Sequence, residues 1–219
     1  MDIWLDTIDL KTIGQAKNMG LLDGVTTNPT ILSQDERPAE EILEELLNHF
    51  SGSLAVQVTL HSAADMVEQG KDLYEFSSRI VVKIPVTSEG LVAISRLSEA
   101  DIPVMATAIF EPMQALLAAK AGASYVVPYF SHLGDNALSI CLAIQEMQLP
   151  ANLLVASLKT PEQVLQCATS FFDAVTLKAP LFQACITTPA QTLDQLTRFD
   201  AAWQKAPISQ LLASSELLK

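Results

Sequence analysis

Short β-branched or apolar runs recur along the chain: IWLD at 3–6, VTTN at 25–28, LAVQV at 54–58, IVVKI at 80–84, VMATAI at 104–109, YVVP at 125–128, LLVASL at 153–158 and AVTLK at 174–178. Between them, apolar side chains return at helical spacing. Ile42, Leu43, Leu46, Leu47 and Phe50 form one stripe, and Ala63, Met66, Val67, Leu73 and Tyr74 another. Thr160-Pro161-Glu162-Gln163 combines an N-cap threonine, a proline at the first helical position and a capping-box glutamine. Thr188-Pro189-Ala190-Gln191 repeats the device ahead of a helix carrying Leu193, Leu196 and Trp203.

Eight strands alternating with helices predict an α/β fold, a single-domain (β/α)8 TIM barrel over residues 1–207. A doubly wound open sheet is the alternative. It loses ground because no G-x-G-x-x-G turn follows an early strand, and the chain has only 8 glycines. An extra C-terminal helix is expected over 208–219. Its Leu211, Leu212, Leu217 and Leu218 present more apolar surface than a free end leaves in water. That surface predicts a cover for the barrel or a contact with a neighbouring subunit.

Composition narrows the classes of function. The 219 residues are 49% hydrophobic and 17% charged, enough to bury one sizeable core. No apolar run approaches a membrane span, and MDIWLDTIDL lacks the basic region of a signal peptide, so a cytoplasmic protein is expected. A net charge of −12 argues against nucleic acid or an anionic membrane as partner, though not against a small anionic substrate. Cys141, Cys167 and Cys185 have no close pairing and read as buried reduced thiols. His49, His61 and His132 have no metal-ligand spacing.

The chemistry centres on VVKIPVTSEG, residues 81–90. Lys83 sits inside a run of valine and isoleucine on both faces, the pattern of a strand buried on both sides. Burying an ammonium there is expensive unless it is paired or deprotonated. The lysine is either a structural partner of a carboxylate or a reactive amine, its pKa lowered so that it attacks a carbonyl and forms a Schiff base. In a barrel of this kind the chemistry lies at the C-terminal strand ends. Polar residues reach those ends in turn: Asp6, Thr26, Thr27, Asn28, Gln57, Lys83, Thr107, Tyr129, Ser157 and Lys159. An apolar interior has no structural need for so many. Lys83 and Asp6 can form a desolvated amine with its carboxylate, while Gln57, Thr107 and Tyr129 can hold one water for proton transfer.

DGVTTNPT at 23–30, VVKIPVTSEGL at 81–91, YVVPY at 125–129 and VASLKTP at 155–161 resemble the small-transaldolase family. Within it the chain is most similar to the fructose-6-phosphate aldolase branch, over almost its whole length. The resemblance implies a TIM barrel and Schiff-base chemistry without metal or organic cofactor. It implies Lys83 as the Schiff-base lysine and Asp6 as the carboxylate beside it. Asn28 and Ser157 match groups that bind the donor's hydroxyls, with Thr26 close by. Transaldolases of this size carry Glu, Asn and Phe where this chain has Gln57, Thr107 and Tyr129, which match the aldolase branch. A ring-built homo-oligomer, decamer or pentamer, is implied too, with the segment from Ile208 lying on a neighbour.

Two positions depart from the pattern. His132 stands where the family has an arginine that grips the acceptor's phosphate with two parallel bonds, which an imidazole cannot do. Val127 stands where the aldolase branch has alanine, narrowing the wall beside the donor. Lys159 offers some remaining anion affinity. The reading is a class I aldolase acting on a dihydroxyacetone-type donor and an aldehyde, with fructose 6-phosphate as a candidate ketose. The rivals are a transaldolase using the same lysine and a non-catalytic sugar-binding barrel.

Overall fold

The computed structural model describes residues 1–205. They divide into two units, one ending at Ala184 and one beginning at Cys185. The first is a closed barrel of eight strands in sequence order, every neighbouring pair parallel. In chain order its elements begin with β1 (Asp2–Asp6), α1 (Leu10–Asn18), β2 (Gly24–Thr26), α2 (Pro29–Leu32), α3 (Ala39–His49) and β3 (Ser53–Gln57). There follow α4 (Ala63–Phe76), β4 (Ile80–Pro85), α5 (Ser88–Glu99), β5 (Val104–Ile109), α6 (Pro112–Lys120) and β6 (Tyr125–Pro128). The set closes with α7 (Ala137–Glu146), β7 (Asn152–Val155), α8 (Pro161–Thr169), β8 (Ala174–Leu177) and α9 (Ala179–Cys185), whose last residue begins the second unit. The eight expected strands are all present, and the fold is the predicted (β/α)8 TIM barrel.

Side-chain caps start the helices where the chain leaves each strand. Asp9 caps α1, Asn28 α2, Ser62 α4, Thr87 α5 and Thr160 α8, each accepting from the first turn's N–H groups. Glycine matters at two of the contacts that shape the site. A Cβ on Gly90 would lie 2.0 Å from the Pro85 carbonyl oxygen, so only glycine lets α5 pack against the end of the strand bearing Lys83. A Cβ on Gly24 would lie 2.4 Å from the Trp4 ring, which lies against bare backbone inside the barrel.

Three expectations about capping and strand ends change in detail. Thr160 caps α8 as expected, but Gln163 Oε1 accepts from the Lys159 N–H at 2.7 Å, one residue further back than a capping box requires. The second unit's helix, α10 (Ala190–Trp203), has Pro189 at its N-cap and no side-chain cap, because it starts one residue too late for Thr188 to serve. Strand β7 ends at Val155 rather than 158: after a single bridge at Ala156 the backbone turns left-handed at Ser157, φ +64°.

Along α10, Leu193, Leu196, Phe199 and Trp203 are all exposed. The expected helix over 208–219 lies outside the described residues. Among the described residues no helix is long and apolar enough to cross a membrane.

Candidate active site

Strand β4 runs Ile80-Val81-Val82-Lys83-Ile84 with all five residues buried, and Lys83 is only 4% exposed. Its Nζ donates to the Thr27 carbonyl at 2.7 Å. That carbonyl is free to accept because the β2–β3 ladder stops at Thr26 and Ala55, one residue earlier. Asp6 is not the expected ion-pair partner: among the described residues it makes no salt bridge with Lys83. One of its oxygens accepts from Thr26 Oγ1 at 2.8 Å, and Thr26 Oγ1 also lies 2.8 Å from Thr176 Oγ1. Desolvation therefore governs the amine. It pushes Lys83 from 10.5 down to about 8, with the Asp6 charge pulling weakly the other way.

On the neighbouring wall, Thr107 Oγ1 lies 3.1 Å from the Tyr129 hydroxyl. Strand pairing places Gln57 beside Lys83 and Thr107 beside Pro85. The β5–β6 register shifts between Ala106 and Ile109, and Ala108 is left-handed at φ +57°. This irregularity directly follows Thr107, where a bulge redirects the strand end. Tyr129 meets the rings of Phe110 and His132 with centroids 5.8 Å away in each case. His132 Nδ1 lies 3.3 Å from Ser157 Oγ. Asn28 spends its carbonyl oxygen on the N–H of Ile31, which leaves the amide's N–H donors for the cavity.

These residues surround one cavity of about 540 Å³ at the C-terminal ends of the strands. Asp6, Thr26, Asn28, Gln57, Lys83, Val127, Tyr129, His132, Ser157 and Lys159 all line it. Thr107 sits behind them, buried, and reaches the cavity through the Tyr129 hydroxyl. Sequence reasoning missed Thr176 and Lys178, which line the same space from β8 and the residue after it. The signal was period-two spacing: both lie on Ala174's side of the strand.

Among the described residues no cluster of three His, Cys, Asp or Glu is placed to hold a metal ion. Burial pushes the thiols of Cys141 and Cys167 up to about 12, as expected of inert core cysteines. Cys185 is exposed, contrary to expectation, because it ends α9 beyond the barrel wall's last buried residues, Leu181 and Phe182.

The model of the family described as "Transaldolase/Fructose-6-phosphate aldolase" matches residues 3–219. A probable transaldolase of Aquifex aeolicus is 36% identical over 214 residues, covering 94% of this chain and 98% of its own length. One of Thermoplasma volcanium is 37% identical over 215 residues, covering 94% and 96%. Among solved structures, the carboxyl transferase domain of Rhizobium etli pyruvate carboxylase with pyruvate superimposes at TM-score 0.61. It is 13% identical, and the match covers 81% of this chain and 40% of that one. A mandelate oxidase variant gives 0.56 at 16% identity, covering 81% and 63%. At such identities these two share the fold alone.

Proposed function

This chain belongs to the transaldolase/fructose-6-phosphate aldolase family, and from that membership we propose that it is a class I aldolase with Lys83 as its nucleophile. The observation that carries the reading is the Lys83 amine, buried, held by one backbone carbonyl and lowered to about 8, facing the cavity. A substantial fraction is then neutral near physiological pH, with its lone pair available.

In the forward direction the amine adds to the carbonyl of a dihydroxyacetone-type donor. The carbinolamine loses water, leaving a protonated imine. An α-proton then leaves through Tyr129, or a water between Tyr129, Thr107 and Gln57, giving an enamine. The enamine carbon bonds to the aldehyde carbon, and the aldehyde oxygen takes a proton. Water finally releases the ketose and restores Lys83. Asn28 and Ser157 bind donor hydroxyls, and Asp6, set by Thr26 and Thr176, assists proton movements around the carbinolamine. The Tyr129–Thr107 contact supports aldolase over transaldolase, since a phenol beside the enamine can protonate it and free the donor.

The relatives' names favour the second reading, transfer of the three-carbon unit between sugar phosphates. Incubation with fructose 6-phosphate and no acceptor decides between them. An aldolase releases dihydroxyacetone and glyceraldehyde 3-phosphate catalytically, whereas a transaldolase stops after one turnover. Borohydride trapping with dihydroxyacetone separates both from a non-catalytic barrel. A homo-oligomer, decamer or pentamer, is part of the proposal, supported by the exposed apolar side chains of α10. Light scattering at micromolar concentration should give a mass several times that of the chain, and a monomer would refute it.

A further inference from the structure

Two lysines reach the cavity mouth from neighbouring strands. Lys159 follows Ser157 beyond β7, and Lys178 follows Thr176 at the end of β8. Thr176 points into the barrel, where its hydroxyl meets Thr26, so Lys178, two residues on, rises above it on the same side. Lys178 stands one residue past the last β1–β8 pair, Leu5 with Leu177. Both lysines are exposed at the rim. Among the described residues neither ammonium has an ion pair. The only carboxylate lining the cavity among those residues is Asp6, deeper inside and already bonded to Thr26. A chain of net charge −12 thus gathers two unpaired cations at one mouth.

His132 lines the same cavity beside Ser157 but is poorly equipped to hold an anion. Its Nδ1 faces Ser157 Oγ, and its ring lies edge-on to Phe110 and tilted against Tyr129. It offers at most one further donor, where a phosphate dianion accepts several.

We propose that Lys178, together with Lys159, seats the phosphomonoester end of the aldehyde substrate on the β7–β8 side of the mouth, and that Lys178 determines preference for phosphorylated acceptors. The proposal rests on the aldolase reading above. Lysines bind phosphate as point charges without the two-bond fork of arginine, so two of them on adjacent strands supply what one imidazole does not. Loops after the seventh and eighth strands are a recurrent phosphate seat in barrels of this kind.

The test uses the full chain with dihydroxyacetone as donor and compares kcat/KM for glyceraldehyde 3-phosphate with that for glyceraldehyde. Lys178→Gln should lower the ratio about tenfold or more, the scale of one lost charge-assisted contact. Lys178→Arg should restore most of it, and Lys71→Gln, a surface control paired with Glu68, should leave it alone. In parallel, calorimetry with inorganic phosphate should give an affinity that falls at least tenfold in Lys178→Gln. An unchanged ratio, or equal losses for both aldehydes, overturns the role of Lys178. If borohydride traps no donor on Lys83, the aldolase reading fails. The phosphate titration then still decides, and the same affinity in wild type and Lys178→Gln, or no binding, refutes the seat.

Discussion

The lower and upper layers of the barrel interior lie two residues apart on the same strands, yet they differ in kind. Below, Trp4, Ala55, Val81, Met105, Val127, Leu154 and Ala174 form a continuous apolar plug. Above it, one side-chain step further along, stand Asp6, Gln57, Lys83, Thr107, Tyr129 and Thr176. The Val81-to-Lys83 step is the sharpest. Both side chains are at most 4% exposed, so burial alone does not separate them. The difference lies in what each meets. Val81 packs in the plug, while Lys83 borders a cavity and finds the carbonyl that β2 releases as it leaves its ladder. A dry layer beneath a polar one keeps the amine desolvated and still reachable by substrate, the combination a lysine nucleophile needs.

Removing the amine breaks the contrast most severely. Lys83→Met turns the upper layer into more plug, and ketose cleavage should fall by about 10⁴-fold or more, as for a lost nucleophile. Borohydride should then attach no three-carbon unit. The same variant should be more stable than wild type. A lysine lowered to about 8 when folded, from 10.5, carries a penalty that is full below pH 8. Between pH 8 and 10.5 the unfolded chain binds more protons, so wild-type stability rises with pH across that window and the penalty is gone above it. Denaturant titrations at pH 7 should place Lys83→Met roughly 1–3 kcal/mol above wild type, after the loss of the Thr27 contact. Equal stabilities would mean that desolvation does not govern this amine.

Tyr129→Phe leaves the amine and takes only the phenol that meets Thr107. Cleavage should drop on the order of 10²-fold, while trapping of dihydroxyacetone on Lys83 largely persists. Parallel losses in both assays would assign the phenol to packing or donor binding.

The pH profile sharpens the same point more gently. If attack by neutral Lys83 limits the rate, kcat/KM should rise about tenfold per unit below pH 8 and level off above it. A flat profile between pH 6 and 8 would place the limiting step elsewhere.

The smallest effect concerns the end of β7, where the alternation breaks. On β7, Leu154 and Ala156 face the plug, so regular backbone would turn Ser157 away from the cavity. Its left-handed conformation brings it in, at a cost of about 1 kcal/mol for a residue with a Cβ. Ser157→Gly should therefore melt slightly higher while KM for the donor rises, whereas Ser157→Ala keeps the strain and should not gain stability. A glycine variant that melts lower would show that the hydroxyl's contact with His132 outweighs the strain.

Strand identity, helix stripes and the inward polar residues were legible because they are local: periods of two and 3.6, caps beside proline, and a lysine inside a β-branched run. The motifs at 23–30, 81–91 and 155–161 pointed to the family for the same reason, since each is contiguous. Only the closed barrel decided which polar groups meet. Thr26 and Thr176 touch across 150 residues of sequence, and Thr26 in turn holds Asp6. The partner of Lys83 is likewise a backbone carbonyl, from the residue just after β2, which no side-chain pattern announces. The left-handed turns at Ala108 and Ser157 carry no glycine to mark them, because surrounding structure, not local preference, holds them there. Sequence marked inward polar groups on the first seven strands, and the register that closes the barrel determined which of them meet.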